Sequence, residues 1–175
     1  MNLKSLIRTV PNYPKPGILF RDISTILYNG TALKYISDIY FNRYKDKNIT
    51  AIAGIEARGF IFGAIIAERL GISFIPIRKK GKLPCKVISE SYSLEYGTDA
   101  LEVDITSLNN DSKIVIVDDL IATGGTAIAA GNLIKKLGAS IHEYTFLVNL
   151  PDIGGEQKLK DNNYKVHYLM EFEGD

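Results

Sequence analysis

The stretch "KIVIVDDLIATGGTAIAAG", Lys113 to Gly131, constrains the fold more than any other part of the chain. "KIVIV" is an apolar run with no polar alternation, so a strand formed there must be covered on both faces, as in a parallel sheet flanked by helices. A turn rich in glycine and threonine follows. "TAIAAGNLIKKLG" then puts Ala130, Leu133, Ile134 and Leu137 on one helical face, with lysines in the last turn and a glycine stop. Strand, tight turn and helix in that order commit the chain to an α/β architecture.

The remaining segments extend the pattern. Pro11, Pro14, Pro16 and Gly17 make the entry extended and turn-rich before "ILF". After Asn29-Gly30, apolar residues at Leu33, Ile36, Tyr40 and Tyr44 predict a helix from about Thr31 to Tyr44. "TAIAGI", Thr50 to Ile55, is a short strand, and "GFIFGAIIAERLG" behind it is a helix apolar on nearly every side. "SFIPIR", "IHEYTFLVNL" and "YKVHYLMEF" are further strands. Between them, Lys79 to Glu102 lacks sustained periodicity and alternates only in "SYSLEYG" and "ALEV", which predicts a long functional loop with some antiparallel β. Strands alternating with helices imply a mostly parallel sheet that takes its ligands at the strand carboxyl ends.

The chemistry sits in the opening stretch. Asp118 and Asp119 fall where the apolar run stops, and Ala122, Thr123, Gly124, Gly125 and Thr126 lie between strand and helix. A glycine-rich turn entering a helix exposes unpaired amides at the positive end of the helix dipole, a ready phosphate site. Carboxylates accept hydrogen bonds from vicinal hydroxyls and can hold the water shell of a magnesium ion. Together they describe a ribose 5-phosphate. The turn is neither a Walker A loop, since Gly-Lys-Ser/Thr is missing, nor a dinucleotide fingerprint. The simpler alternative, a solvated acidic turn and a threonine-capped helix, leaves that convergence of donors and acceptors unexplained.

Totals narrow the partners. With 175 residues, 46% of them hydrophobic, the chain suits one domain, and 21 basic against 20 acidic residues give no global field for nucleic acid or an anionic membrane. Cys85 is a lone cysteine, and His142 and His167 have no metal-ligand spacing, which fits a reducing compartment. No signal peptide or membrane-length apolar run is present, so a cytoplasmic protein is expected.

"VIVDDLIATGGT" resembles the phosphoribosyl pyrophosphate signature of the type I phosphoribosyltransferases. With "YPKPGILFRDIS", "GIEARGFIFG", "IRKKGKLP" and "SYSLEYG", in that order from about Val10 to Phe172, the chain resembles the adenine phosphoribosyltransferase family within them. The resemblance implies a type I phosphoribosyltransferase fold over 1–175, with a small N-terminal hood from about 1–30 and a flexible catalytic loop from about 79–102. It implies transfer to adenine from phosphoribosyl pyrophosphate, magnesium carried by substrate and water rather than by a protein cage, and a homodimer. Asp118, Asp119 and residues 122–126 would hold the phosphoribosyl group. Arg58, Arg78, Lys79, Lys82 and Tyr96 would hold pyrophosphate, with Glu95 and Arg58 catalytic and the Glu56–Ala57 peptide cis. Leu19, Phe20 and Arg21 would read adenine through the main chain, and Leu150 would cover one ring face. Asn149 departs from the acidic residue often found there, which bears on the choice of base. A transferase for xanthine or guanine is the nearest rival. A sugar-phosphate sensor on the same fold would be expected to carry a basic DNA-binding segment, against a net charge of +1 here.

Overall fold

A computed structural model describes residues 1–93 and 97–174. An antiparallel pair, β1 (Arg8–Pro11) and β2 (Leu19–Asp22), opens the chain and forms its own two-stranded sheet. A short helix α1 (Ser24–Leu27) leads to α2 (Gly30–Tyr44). Then come β3 (Ala51–Ile55), α3 (Gly59–Leu70), β4 (Ser73–Lys79), β5 (Val87–Ser93), β6 (Thr98–Asp104) and β7 (Lys113–Ile121). The last elements are α4 (Gly125–Lys136), β8 (Ser140–Asn149), α5 (Gly155–Asp161) and β9 (Val166–Glu171). Among the described residues the main sheet has seven strands, in the order β5-β6-β4-β3-β7-β8-β9. Every pairing from β4 through β9 is parallel, and β5 and β6 add an antiparallel hairpin at one edge.

The apolar run of β7 explains the layering. Ile114 and Ile116 belong to the buried cluster that holds Ala130, Leu133 and Ile134 of α4, whereas Val115 and Val117 belong to the one that holds Ile36 and Tyr40 of α2 and Phe62 and Ile66 of α3. Alternate residues thus face opposite helical layers, each fully buried aliphatic side chain contributing roughly 1.5–3 kcal/mol. Asn29, in an extended conformation, N-caps α2 by accepting the Ala32 amide at 3.0 Å, so the helix begins at Gly30, one residue before the expected start. Gly71 closes α3 in the left-handed conformation. Among the described residues no helix is long and apolar enough to cross a membrane.

Three local expectations change. The acids do not end β7: the strand runs on through Leu120 and Ile121, paired with β8 alone, because the ladder to β3 stops at Val117. Within 79–102 the described residues are largely regular, since β5 begins at Val87 and pairs with β6 over its whole length. The entry segment forms a hairpin, and its Tyr13–Pro14 bond is cis. The Glu56–Ala57 bond, by contrast, is cis as the resemblance implies.

His167 on β9 gives the fold a measurable pH dependence. Its Nδ1 lies 2.9 Å from Thr145 Oγ1, and burial, reinforced by the Arg43 charge, pushes its pKa down to about 4, with Glu143 opposing. The folded value is below the unfolded one of about 6.5, so the unfolded chain binds the proton first as pH falls. Stability contributed by the neutral ring is therefore complete above about pH 6.5 and is lost as pH drops toward 4. Urea melts at pH 7 and pH 4.5 are expected to show about 1–2 kcal/mol less acid loss for His167→Gln than for the wild type, after discounting for the ring's partial exposure.

Candidate functional site

The strand order places a crevice between β3 and β7. From β3 the chain crosses to β4 on one side, while β7 lies on the other, and the helices that follow them, α3 and α4, cover opposite faces. Ligands of open α/β sheets bind at such a switch point. Here it is opened further because β3 stops pairing at Val117, one residue before the acids.

A cavity of about 220 Å³ lies there, lined by Arg58, Asp118, Asp119, Ala122, Thr123, Gly124 and Thr126, with Phe146 among its apolar walls. Asp119 is 5% exposed, and Arg58 Nε stands 2.8 Å from its Oδ2. That contact is an ion pair without hydrogen-bond geometry, since Oδ2 has no hydrogen-bond partner among the described residues. Asp118, part-exposed, accepts the Asp119 amide at 2.9 Å. Its carboxyl is pushed well above the usual range, first by desolvation and then by the Asp119 charge, with Arg58 opposing. The fit is close: a Cβ on Gly59, first residue of α3, would lie 2.6 Å from the Val117 carbonyl and 3.0 Å from Asp118 Oδ1. Glycine there lets the Arg58 turn approach the acids.

The turn behaves as an anion cradle should. Its helix N-cap is Gly124, at φ 74°, not a threonine, and among the described residues no side chain caps α4. The first-turn amides of that helix have no intrahelical acceptor, so they remain for a ligand. Tyr92 of β5, absent from the sequence-based candidates, lies against the same turn: its hydroxyl donates to Asp99 at 3.3 Å, and it lines a neighbouring cavity of about 450 Å³ with Glu56, Ala57, Arg58, Lys79, Asp118, Asp119 and Thr126. "SYS" alone gave no signal separating Tyr92 from a strand residue.

The basic patch divides. Lys79 lines that second cavity. Arg78 instead reaches the Glu56 carboxylate through Nε and Nη2, both at 3.3 Å, and donates Nη1 to the Lys82 carbonyl at 2.9 Å. Glu56 also accepts the Lys79 amide at 2.9 Å. Burial opposes ionisation of Glu56, but that amide and the Arg78 guanidinium outweigh it and hold its pKa low. Arg78 and Lys82 do not line either cavity, nor do Leu19, Phe20, Arg21 or Leu150. The Arg21 guanidinium is engaged elsewhere, donating to Thr9 Oγ1 at 2.7 Å and the Glu173 carbonyl at 3.2 Å, and stacking on Phe172 at 4.6 Å. Leu150 is tied to the site strand by its amide, 3.1 Å from the Ile121 carbonyl. Asn149 turns its amide to Glu156 Oε2 at 2.9 Å. Glu95 and Tyr96 lie outside the described residues.

A mostly parallel sheet with paired acids at its switch point and an uncapped helix start suits a sugar-phosphate site, and residues 23–171 match the family model described as phosphoribosyl transferase domain, which places the chain in the phosphoribosyltransferase class. A curated adenine phosphoribosyltransferase of Shewanella pealeana is 50% identical over 173 residues, 99% of this chain and 94% of the relative. The crystal structure of the Thermoanaerobacter pseudethanolicus adenine phosphoribosyltransferase superposes with a TM-score of 0.92 at 41% identity, over 97% of this chain and 98% of that one. The Saccharomyces cerevisiae enzyme, complexed with an imino-altritol bisphosphate and adenine, superposes at 0.90 with 38% identity, covering 96% of each chain. The chain belongs to the adenine phosphoribosyltransferase family.

Proposed function

We propose that the chain transfers the phosphoribosyl group of phosphoribosyl pyrophosphate to adenine, releasing AMP and pyrophosphate, in purine salvage. The observation that carries this is the cavity in which Asp118, Asp119 and Arg58 meet the uncapped start of α4. The amides of 122–126, with the Thr123 and Thr126 hydroxyls, bind the 5-phosphate. Asp118 and Asp119 accept from the ribose hydroxyls. Arg58 and Lys79, with Arg78, Lys82 and Tyr96, take the pyrophosphate, whose oxygens gain charge as the bond to the anomeric carbon breaks.

An adenine nitrogen forms the new bond from the opposite face, through an oxocarbenium-like sugar. Its proton passes to Glu95. Main-chain groups of Leu19, Phe20 and Arg21 read the base edge, and Leu150 covers a ring face. Among the described residues no group of three or more His, Cys, Asp or Glu side chains forms a metal cage. Two adjacent carboxylates, one of them part-exposed, suit an ion that keeps its waters and substrate oxygens. Magnesium carried by substrate oxygens and its own waters, with Asp118 and Asp119 accepting from that water shell, would neutralise pyrophosphate charge. A cytoplasmic homodimer completes the reading: the family resemblance supports the dimer, and the exposed lone Cys85 suits a reducing compartment.

The test is AMP formation from adenine and phosphoribosyl pyrophosphate. Turnover is expected with magnesium and is expected to be lost with EDTA. Turnover of xanthine or guanine in place of adenine would overturn the assignment.

A further inference from the structure

The 122–126 turn is held from a second side by the segment that follows β8. The Gly155 amide donates to the Ala122 carbonyl at 2.9 Å. No space remains between the two backbones: a Cβ on Gly155 would stand 2.3 Å from the Ala122 oxygen and 2.7 Å from the Gly124 nitrogen, and one on Gly124 would stand 3.0 Å from the Gly155 oxygen. All of these neighbours are main-chain atoms of the turn or of Gly155, so no side-chain rotation would relieve the overlap.

The next residue fixes where Gly155 sits. Glu156 accepts the Asn149 amide on Oε2 at 2.9 Å and pairs through Oε1 with Lys160 at 2.6 Å. Asn149 is 0% exposed, stands beside Ile121 in the β7–β8 ladder, and leaves its own Oδ1 without a partner among the described residues. A buried carbonyl oxygen is seldom left so, and the orientation that orphans it is the one that turns the amide to Glu156. A chain of contacts therefore runs from the end of β8 through Asn149 and Glu156 to the Gly155 amide and the Ala122 carbonyl.

We infer that Gly155 and the Asn149–Glu156 pair form a positioning element that aims the amides of the 122–126 turn at the sugar 5-phosphate, an inference that rests on that turn being the phosphate cradle. It also gives Asn149 a task other than choosing the base. The departure from an acidic residue puts an amide donor opposite Glu156, where a second carboxylate would repel it. Misplacing a binding group by about an ångström can cost about 100-fold, so the effect belongs in the affinity for the sugar phosphate.

Gly155→Ala is expected to raise KM for phosphoribosyl pyrophosphate by about 10-fold or more while KM for adenine changes less than about 2-fold. Glu156→Ala is expected to raise the same KM by about 5-fold, and Glu156→Gln, which keeps an acceptor for the Asn149 amide, to restore it to within about 2-fold. Calorimetry with ribose 5-phosphate should follow the same order. A purely structural role would instead shift both KM values together or leave Gln no better than Ala, and either result overturns the inference. If Gly155→Ala fails to fold, the Glu156 pair decides. Wild-type protein that bound no phosphoribosyl pyrophosphate would remove the cradle assignment itself, a result distinguishable from normal wild-type binding with unaffected variants.

Discussion

Replacing Asp119 by asparagine is expected to lower kcat/KM for phosphoribosyl pyrophosphate by about 100- to 1,000-fold, corresponding to about 3–4 kcal/mol of lost transition-state stabilisation. Asparagine keeps the shape of the side chain, so the loss reads the charge. Two terms add. An ionised acceptor for a sugar hydroxyl is replaced by a neutral one, at about 1.5–3 kcal/mol per bond to a charged group. The Arg58 guanidinium, 2.8 Å from Oδ2, also loses the partner that orients it toward the leaving group. Asp119 is 5% exposed but the Arg58 side chain is 46% exposed, so that contact is partly screened and the hydroxyl acceptor is the larger of the two terms. Initial rates with the sugar donor varied, alongside circular dichroism of the variant, measure it. A change under about 5-fold in a folded variant would show that the acids do not grip the ribose.

Asp118 supplies an internal check. Its pKa is raised by desolvation and by Asp119, so the ionised acceptor is lost at higher pH than for an ordinary carboxylate. The acid limb of kcat/KM should accordingly lie above the ordinary carboxylate range and disappear in Asp118→Asn.

Much of this site was legible in the sequence because its residues are local. Asp118, Asp119 and 122–126 fall in one strand-turn-helix unit, and the apolar pattern of "KIVIV" located that unit without reference to the rest of the chain. Arg58 followed from strand logic, since parallel neighbours bring their carboxyl ends to one edge. What could not be read depends on register or distance. The engagement of Arg78 with Glu56 arises because Ile55 pairs with Ile77, which sets the two following residues side by side. Gly155 meets Ala122 across more than thirty positions of chain, with no signal in "GGEQ" to announce it. The β1–β2 hairpin was hidden by four-residue strands with three prolines near them and no buried alternation. α5 was hidden by its seven-residue length and by Leu159 being its one buried large apolar residue.

The second large effect is on stability. Gly131→Ala is expected to destabilise the fold by about 2 kcal/mol, lowering Tm by about 4–8 °C for a chain of this size. Helix propensity predicts the opposite, a gain of about 0.5–1 kcal/mol in mid-helix. Overlap decides the sign: a Cβ at Gly131 of α4 would stand 1.8 Å from the Tyr144 hydroxyl oxygen, and Tyr144 is wholly buried on β8 with its ring against Tyr164 at 4.9 Å. Neither the ring nor the helix can yield without opening the core. The same geometry names the cure. Among the described residues the Tyr144 hydroxyl has no partner at hydrogen-bond geometry, Tyr164 giving at most a weak contact, so Tyr144→Phe removes the obstruction at little cost. The Cβ would then meet the ring carbon Cζ at 3.1 Å and Ile141 Cδ1 at 3.3 Å, distances that small shifts accommodate. In thermal melts the double variant should therefore recover most of the loss, a coupling of about 1.5 kcal/mol between the two positions. Additive melts would mean that the helix stands farther from β8 than these distances state.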